Sequence, residues 1–353
     1  MAKPTNKNQI VHLKNNSLAK VSSTLALTNK ILQEIENRNT LPSNDFRVSI
    51  PDINFQKYLT NAFGIVISDN TVAYGDIKHI KRIDCDFSWD EELNKIKSLE
   101  GTQHFTALNI LDCAGNQLTD LDVSKNTALI ELFCNDNQLT DLDVSKNTAL
   151  IELFCNDNQL SNLDVSKNTA LTDLTCECNQ LTHIDVSQNT ALTFLNCGFN
   201  QLKHIDVSKN TELTFLWCGN NQLTDLDVSQ NTVLTSLDYN VNQIADLDIS
   251  QNMALTSLSC GENQISDLDV SKHTALTFLD CAHNQLTDLD VSQNTALTSL
   301  ICRENQITDL DVSQNTALTR LWCGDNQLTD LDVSKNTVLK DDIIVDKSVK
   351  IYR

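Results

Sequence analysis

The chain has 353 residues, 40% hydrophobic but only 5% aromatic, with 8 Gly, 3 Pro and a formal net charge of -21. That composition argues against a large aromatic globular core, and the absence of any run of 18 apolar residues excludes a membrane-spanning helix. The charge is uneven: residues 1–100 hold 13 Lys+Arg and 12 Asp+Glu, which leaves 13 basic and 35 acidic residues for the remainder.

Residues 1–45 read as a polar extension with one amphipathic helix, Ser17 to Asn37. Leu18, Val21, Leu25, Thr28, Leu32 and Ile35 share one face, Ser17 is placed to cap it and Pro42 follows in a loop. Met1 to Asn16 lacks the basic flank and apolar run of a cleavable secretory signal, so a cytoplasmic location is expected, with secretion by a signal-less route as the alternative. Residues 46–107 read as an N-terminal cap with a first degenerate repeat. Asp52 can cap a short helix that gathers Phe55, Tyr58, Leu59 and Phe63 on one side. Ile80 to Cys85 already carries the repeat pattern, and an acidic insertion with Trp89, Asp90, Glu91 and Glu92 delays the next coil. A solenoid end exposes strand edges and core, which such a cap covers.

From Leu108 the period is 21: Leu108, Leu129, Leu150 and onward without a slip to Leu339. Residues 108–338 thus hold eleven repeats, and 339–353 read as a C-terminal cap. Residues 129–149 and 150–170 differ only at Thr140/Ser161 and Asp141/Asn162, the mark of a recent duplication. Each unit is nearly doubled, Leu-x-x-Leu-x-Cys-x-x-Asn then Leu-x-x-Leu-x-Val-x-x-Asn, so each half is expected to supply a short strand with alternate residues inward. The fold class that follows is a repeat solenoid: a thin right-handed β-rich coil with parallel strands on one or both faces and a small helical N-terminal cap. At about 4.8 Å per coil, eleven coils span on the order of 50 Å.

The Leu-x-x-Leu-x-Cys-x-x-Asn-x-Leu core resembles the leucine-rich-repeat family with Cys in the last ladder position, and the doubled unit resembles its nested bacterial subclass. Residues Ile50 to Leu59 and Leu99 to Leu108 resemble the cap of internalin-like surface proteins, common in Bacteroidetes. The resemblance covers residues 46–340. It implies a binding scaffold, or an internalin-like adhesin or secreted effector.

Several rows of side chains follow from the period. Ten of eleven ladder positions are Cys, from Cys113 to Cys323, with Tyr239 the exception; thiols in a line, one per coil, suit core packing rather than a metal or disulfides. Cys178 is expected to point outward. The Asn row from Asn116 to Asn326 and the Ser145, Asn147, Thr148 turn are suited to satisfying backbone groups. The Asp row from Asp122 to Asp332 raises calcium, giving a cation-binding solenoid as an alternative function. Hydrogen bonds to the nearby Ser are the simpler expectation. His183 and His204 beside Asp225 raise a zinc ligand pair, but stacked surface imidazoles are the plainer reading, and no metal or other cofactor is assigned.

Function is expected on the outward positions of the first strand, where this chain varies while Leu-Thr-Asp-Leu-Asp-Val-Ser stays nearly constant on the other side. One row runs Ile110, Glu131, Glu152, Asp173, Phe194, Phe215, Ser236, Ser257, Phe278, Ser299, Arg320; the next includes Phe133, Phe154, Asn196, Trp217 and Trp322. Phe133, Phe154, Phe194, Asn196, Phe215, Trp217, Phe278 and Trp322 are the candidate partner-binding residues. Acidic neighbours Glu131, Glu152, Asp136 and Asp157 favour a protein partner with a basic or mixed apolar and basic surface. The same charge disfavours nucleic acid and anionic membranes. No catalytic motif is found, so the expected function is a non-catalytic protein-interaction scaffold. The sequence leaves the partner and the oligomeric state open.

Overall fold

The computed structural model describes residues 43–87, 94–340 and 342–353. The helix expected over Ser17–Asn37 and the insertion residues Trp89 to Glu92 lie outside them. The chain divides into two compact units. In the smaller, residues 43–47 and 73–75 are laced by Phe46 N–H to the Ser43 carbonyl (2.9 Å), Tyr74 N–H to Phe46 (2.8 Å) and Gly75 N–H to Asn44 (2.9 Å).

The larger unit holds Val48–Val72 and Asp76–Arg353. Short strands β1 (Arg47–Ser49) and β2 (Thr71–Ala73), helix α1 (Ile53–Phe63) and a single-turn helix α2 (Tyr74–Ile77) precede the repeats. Asp52 caps α1 as expected, its Oδ1 accepting from Asn54 N (2.8 Å) and Phe55 N (2.9 Å), and its Oδ2 also accepts from Lys97 N (2.8 Å). Gly64 closes the helix in the left-handed region at φ 67, which a Cβ would disfavour. Phe55 and Leu59 are fully buried, whereas Phe63, expected on the same side, is 39% exposed.

Twelve three-residue strands follow, one per coil, from β3 (Arg82–Asp84) and β4 (Ile110–Asp112) through β5 (Glu131–Phe133), β6 (Glu152–Phe154), β7 (Asp173–Thr175), β8 (Phe194–Asn196), β9 (Phe215–Trp217), β10 (Ser236–Asp238), β11 (Ser257–Ser259), β12 (Phe278–Asp280) and β13 (Ser299–Ile301) to β14 (Arg320–Trp322). They form one parallel sheet with every strand beside its sequence neighbours, and β16 (Ile343–Ile344) adds the thirteenth strand at its end. Register is kept by the period: Ile110 pairs Glu131, 21 residues on. Arg82 pairs Ile110, a step of 28, seven residues more than the period.

One expectation needs correction. The second half of each repeat is not a strand, apart from β15 (Asp330–Asp332), which pairs with β17 (Lys350–Tyr352). The backbone groups that would carry a second ladder are engaged by side chains instead. Asp143 Oδ1 accepts from Ser145 N (2.8 Å), and Asn147 Nδ2 donates to the Val123 (3.0 Å) and Asn126 (2.9 Å) carbonyls of the preceding coil. Only one backbone bond per coil joins these halves, such as Gln138 N–H to the Leu118 carbonyl (2.8 Å).

The first Asn row also binds between coils. Asn137 Nδ2 donates to the Cys113 (3.0 Å), Cys134 (3.2 Å) and Asn135 (3.1 Å) carbonyls, while its Oδ1 accepts from Leu118 N (2.9 Å). Inside lie the apolar ladders. Leu129, Leu132, Cys134, Leu139 and Val144 are fully buried and Leu142 nearly so, and each full burial of a Leu or Val side chain stabilises by about 1.5–3 kcal/mol. The Cys ladder is buried from Cys85 to Cys323, as core packing predicts, and burial pushes these thiols up. Cys178, outside the ladder, is half-buried, and burial followed by the neighbouring Asp157 carboxylate raises it to about 11, which makes a reactive thiolate scarce.

His273 replaces Asn in the second row. It is buried, its Nε2 meets the Ile249 carbonyl at 3.1 Å, and its Nδ1 has no partner among the described residues. Two substitutions test the row by urea denaturation. Asn168→Ala should lower stability by about 1–3 kcal/mol, because the Val144 and Asn147 carbonyls lose their donor. His273→Asn should raise it by about 1 kcal/mol.

Candidate interaction surface

Three residues per strand set the surface. The middle leucine of each, Leu111 to Leu321, points into the core, and the residues either side point outward. Sequence alternation predicts solvent there, yet most outward side chains are half-buried. Strands about 4.8 Å apart place identical positions in contact, so neighbours shield one another.

The predicted residues gather into separate groups. Phe133 and Phe154 meet with ring centroids 5.0 Å apart, beside the Glu131 and Glu152 carboxylates. Burial, then Glu131 and Asp173, push Glu152 up. Phe194 and Phe215 stack at 4.3 Å with planes 4° apart. Asn196 is 4% exposed and donates to Glu177 Oε2 at 2.7 Å, which makes it a poor anchor for a partner. Phe278, three strands beyond Phe215, stands between Ser257 and Ser299 and joins neither aromatic group. Trp322 is engaged by the C-terminal segment: its Nε1 donates to Asp342 Oδ1 (2.7 Å), and Arg320, 4.9 Å over the ring, also binds Asp342 (2.8 Å).

Sequence reasoning missed Phe199. It sits in the left-handed region at φ 48, is 47% exposed and packs edge-on against Trp217 at 6.3 Å. The same turn position holds Asp136, Asp157, Cys178, Asn220, Val241, Glu262, His283, Glu304 and Asp325 in other coils. An aromatic in that mostly polar row was the available signal. Trp217 has room only because glycines lie beneath it. A Cβ on Gly198 would come within 3.2 Å of Trp217 Nε1, and one on Gly219 within 3.0 Å of Trp217 Nε1, Asp238 Oδ1 and the Asn240 carbonyl. Phe194, Phe199, Phe215 and Trp217 therefore define the main aromatic patch.

The constant side is built differently. In the Asp row from Asp122 to Asp332, Oδ1 accepts from the N–H of the Ser two residues on, as Asp227 does from Ser229 (2.9 Å). Hydrogen bonds from that Ser hydroxyl and N–H hold carboxyls such as Asp122, Asp227 and Asp290 below the usual range. His204 lies 3.8 Å from Asp225, both largely exposed. Among the described residues no three His, Cys, Asp or Glu are grouped to hold a metal ion.

With ladders, sheet and surface in place, the class is clear: a leucine-rich-repeat protein. The model for leucine-rich repeats in two copies matches residues 274–315 and 295–336. A functional domain of InlJ from Listeria monocytogenes, whose structure includes a cysteine ladder, is 36% identical, with a TM-score of 0.79 over 88% of this chain and 73% of that one. The internalin InlF from the same species is 26% identical, with a TM-score of 0.74 over 86% of this chain and 91% of that one. A Leptospira interrogans leucine-rich-repeat protein shares the fold at 21% identity, with a TM-score of 0.66 over 84% of this chain and 97% of that one. No curated protein matches significantly. The chain belongs to the bacterial internalin-like leucine-rich-repeat family, whose fold is typical of protein-interaction scaffolds. Among the described residues, no helix is long and apolar enough to cross a membrane.

Two pH effects follow. Burial raises Asp238 to about 6, so its ionised form weighs against the fold at neutral pH and the penalty fades as pH falls from about 6 toward the unfolded value near 4. Asp238→Asn should therefore stabilise by about 1–2 kcal/mol at pH 7.5, with the gain gone by about pH 4, in paired denaturant titrations. The depressed Asp row acts oppositely. Its contribution is present above the unfolded value near 4 and is lost as pH falls through the lower folded values, which a drop in melting temperature below about pH 4 checks.

Proposed function

We propose that the chain is a non-catalytic scaffold that binds a protein partner through the variable face of its parallel sheet. The observation that carries this reading is the patch of Phe194, Phe199, Phe215 and Trp217. Phe199 is a non-glycine aromatic held at positive φ, where most coils carry a polar residue, and it is left 47% exposed beside Trp217. Rigid aromatics clustered on one face supply the desolvated contact area on which binding energy concentrates. The backbone beneath them is repetitive and fixed, so the face is organised before a partner arrives.

The acidic excess of the repeats supports a protein with basic residues around an apolar centre over a nucleic acid. Reactive chemistry has little support, because the ladder thiols are buried with raised pKa values and the Ser of each constant turn hydrogen-bonds an Asp of its own coil. Membership of the internalin-like family favours one second reading, an adhesin or secreted effector whose partner lies on another cell. The cation-binding alternative is weaker, since each Asp of the row already has Oδ1 engaged by a Ser N–H.

The test compares immobilised wild type with a Phe194→Ser, Phe215→Ser, Trp217→Ser triple variant, both confirmed folded by circular dichroism. A partner captured by wild type should bind the variant at least tenfold more weakly when purified and titrated. Equal affinity for both would remove this face from consideration.

A further inference from the structure

Two adjacent coils, residues 234–254 and 255–275, break the ladders inside the core rather than on the surface. At the Cys position of the first stands Tyr239, fully buried and the largest of the buried side chains. Its hydroxyl is sealed against the Cys260 thiol, a weak partner, and has no nitrogen or oxygen partner among the described residues. The core of a coil is close-packed, so its neighbours must make room for a ring where a thiol would stand. Leu247 is the side chain that gives way. It is half-buried, whereas its counterparts Leu226, Leu268 and Leu289 are buried, and a pocket of about 70 Å³ opens beside Leu247, Ile249 and His273.

The second coil carries a fault on its far side. An Asn of the second row donates to two carbonyls of the coils before it, as Asn252 does to Val228 (2.9 Å) and Asn231 (2.9 Å). His273, standing in that row, reaches only Ile249 at 3.1 Å. The Asn252 carbonyl keeps the Leu255 N–H (3.1 Å) as its sole donor among the described residues. The first Asn row loosens at the same level. Asn221, Asn242 and Asn263 are half-buried, whereas Asn179, Asn200, Asn284 and Asn305 are buried. Among the described residues, the Asn263 N–H also lacks the bond to the next coil that Asn242 makes to Glu262 (3.1 Å) and Asn284 to Glu304 (3.2 Å).

We infer that the junction of these two coils is a seam at which the solenoid opens as two blocks. One block ends at residue 254 and carries the aromatic patch; the other runs from Leu255 onward. In a stack where each coil touches only its neighbours, stability is a sum of coil and junction contributions, so one weak junction lets the blocks part without unfolding both. Faults in the Cys ladder and in both Asn rows meet at this junction, and each substitution weakens the same contact. The strands still pair across it, Ser236 with Ser257 and Leu237 with Leu258, so the sheet face is continuous while the seam is closed. A partner lying across both blocks holds it shut, because that partner binds the closed form and not the open one.

The ladder supplies its own probes, since a buried thiol with a raised pKa reacts only when its coil opens. The reduced full chain is pulsed with N-ethylmaleimide in urea below the unfolding transition, and each Cys is quantified by peptide mass spectrometry. The later block has fewer coils and opens first. Cys260, Cys281 and Cys302 should share one rate, at least about tenfold faster than the rate shared by Cys134, Cys155, Cys176 and Cys197. A Tyr239→Cys, His273→Asn double variant restores both template residues. It should fold at least as stably as wild type and bring the two groups within about threefold of each other. Equal rates throughout wild type overturn the seam, as does a gradient from Cys302 down to Cys260, which marks fraying from the end. An undiminished step in the double variant overturns its assignment to this junction.

Discussion

Everything in the larger unit depends on asparagine amides reaching from one coil to the next. A 21-residue turn with three residues of strand can tie only a small part of its backbone into a sheet, and the rest must find partners elsewhere or stay out of the core. The two Asn rows supply those partners. The first sits at the turn after each Cys and holds carbonyls of two coils together while accepting an N–H from the coil before. The second sits fully buried on the opposite side and stitches consecutive carbonyls. Leucine, valine and cysteine then fill the interior at positions the amides have fixed. The apolar ladders supply the driving force, but the amides decide which arrangement that force selects.

This division explains which parts of the structure were legible in the sequence. The period of 21, the inward leucines and the buried cysteines follow from alternation and spacing alone, and they held from Leu108 to Leu328. The second strand did not. Leu-x-x-Leu-x-Val alternates as well as its partner half does, but alternation records which side chains face inward and says nothing about where backbone hydrogen bonds go. Asp143 claims the Ser145 N–H within its own turn and Asn147 claims two carbonyls of the preceding coil, a turn role that the sequence offered without showing that it displaces a strand. Similarly, the row of outward residues was readable while its degree of burial was not, because shielding comes from the strand next door.

The surface shows the same limit. Phe194 with Phe215 and Phe133 with Phe154 pair because they share a row one period apart, which is a sequence property. Trp322 lies in the same row as Trp217, yet the C-terminal segment covers it through Asp342, a contact no repeat pattern encodes. Phe199 lies in a different row, on a left-handed turn, and joins Trp217 only because that turn folds back over the glycine beneath the indole. Irregularity is informative in a chain this repetitive. Where a coil abandons its template residue without gain to its own packing, the reason lies outside the coil.

The near-identity of residues 129–149 and 150–170 has a consequence for how such a surface changes. Each coil touches little beyond its two neighbours, so a copy can be inserted or removed without repacking the others. Such an event leaves every contact group chemically intact and moves those on one side of it along the stack by one strand spacing, about 4.8 Å. The array thereby behaves as an adjustable ruler, graduated in whole coils, between the Phe133–Phe154 pair and the patch around Trp217. Reach along a partner can be altered in fixed steps by recombination between coils, while the chemistry at each contact point evolves separately through substitution.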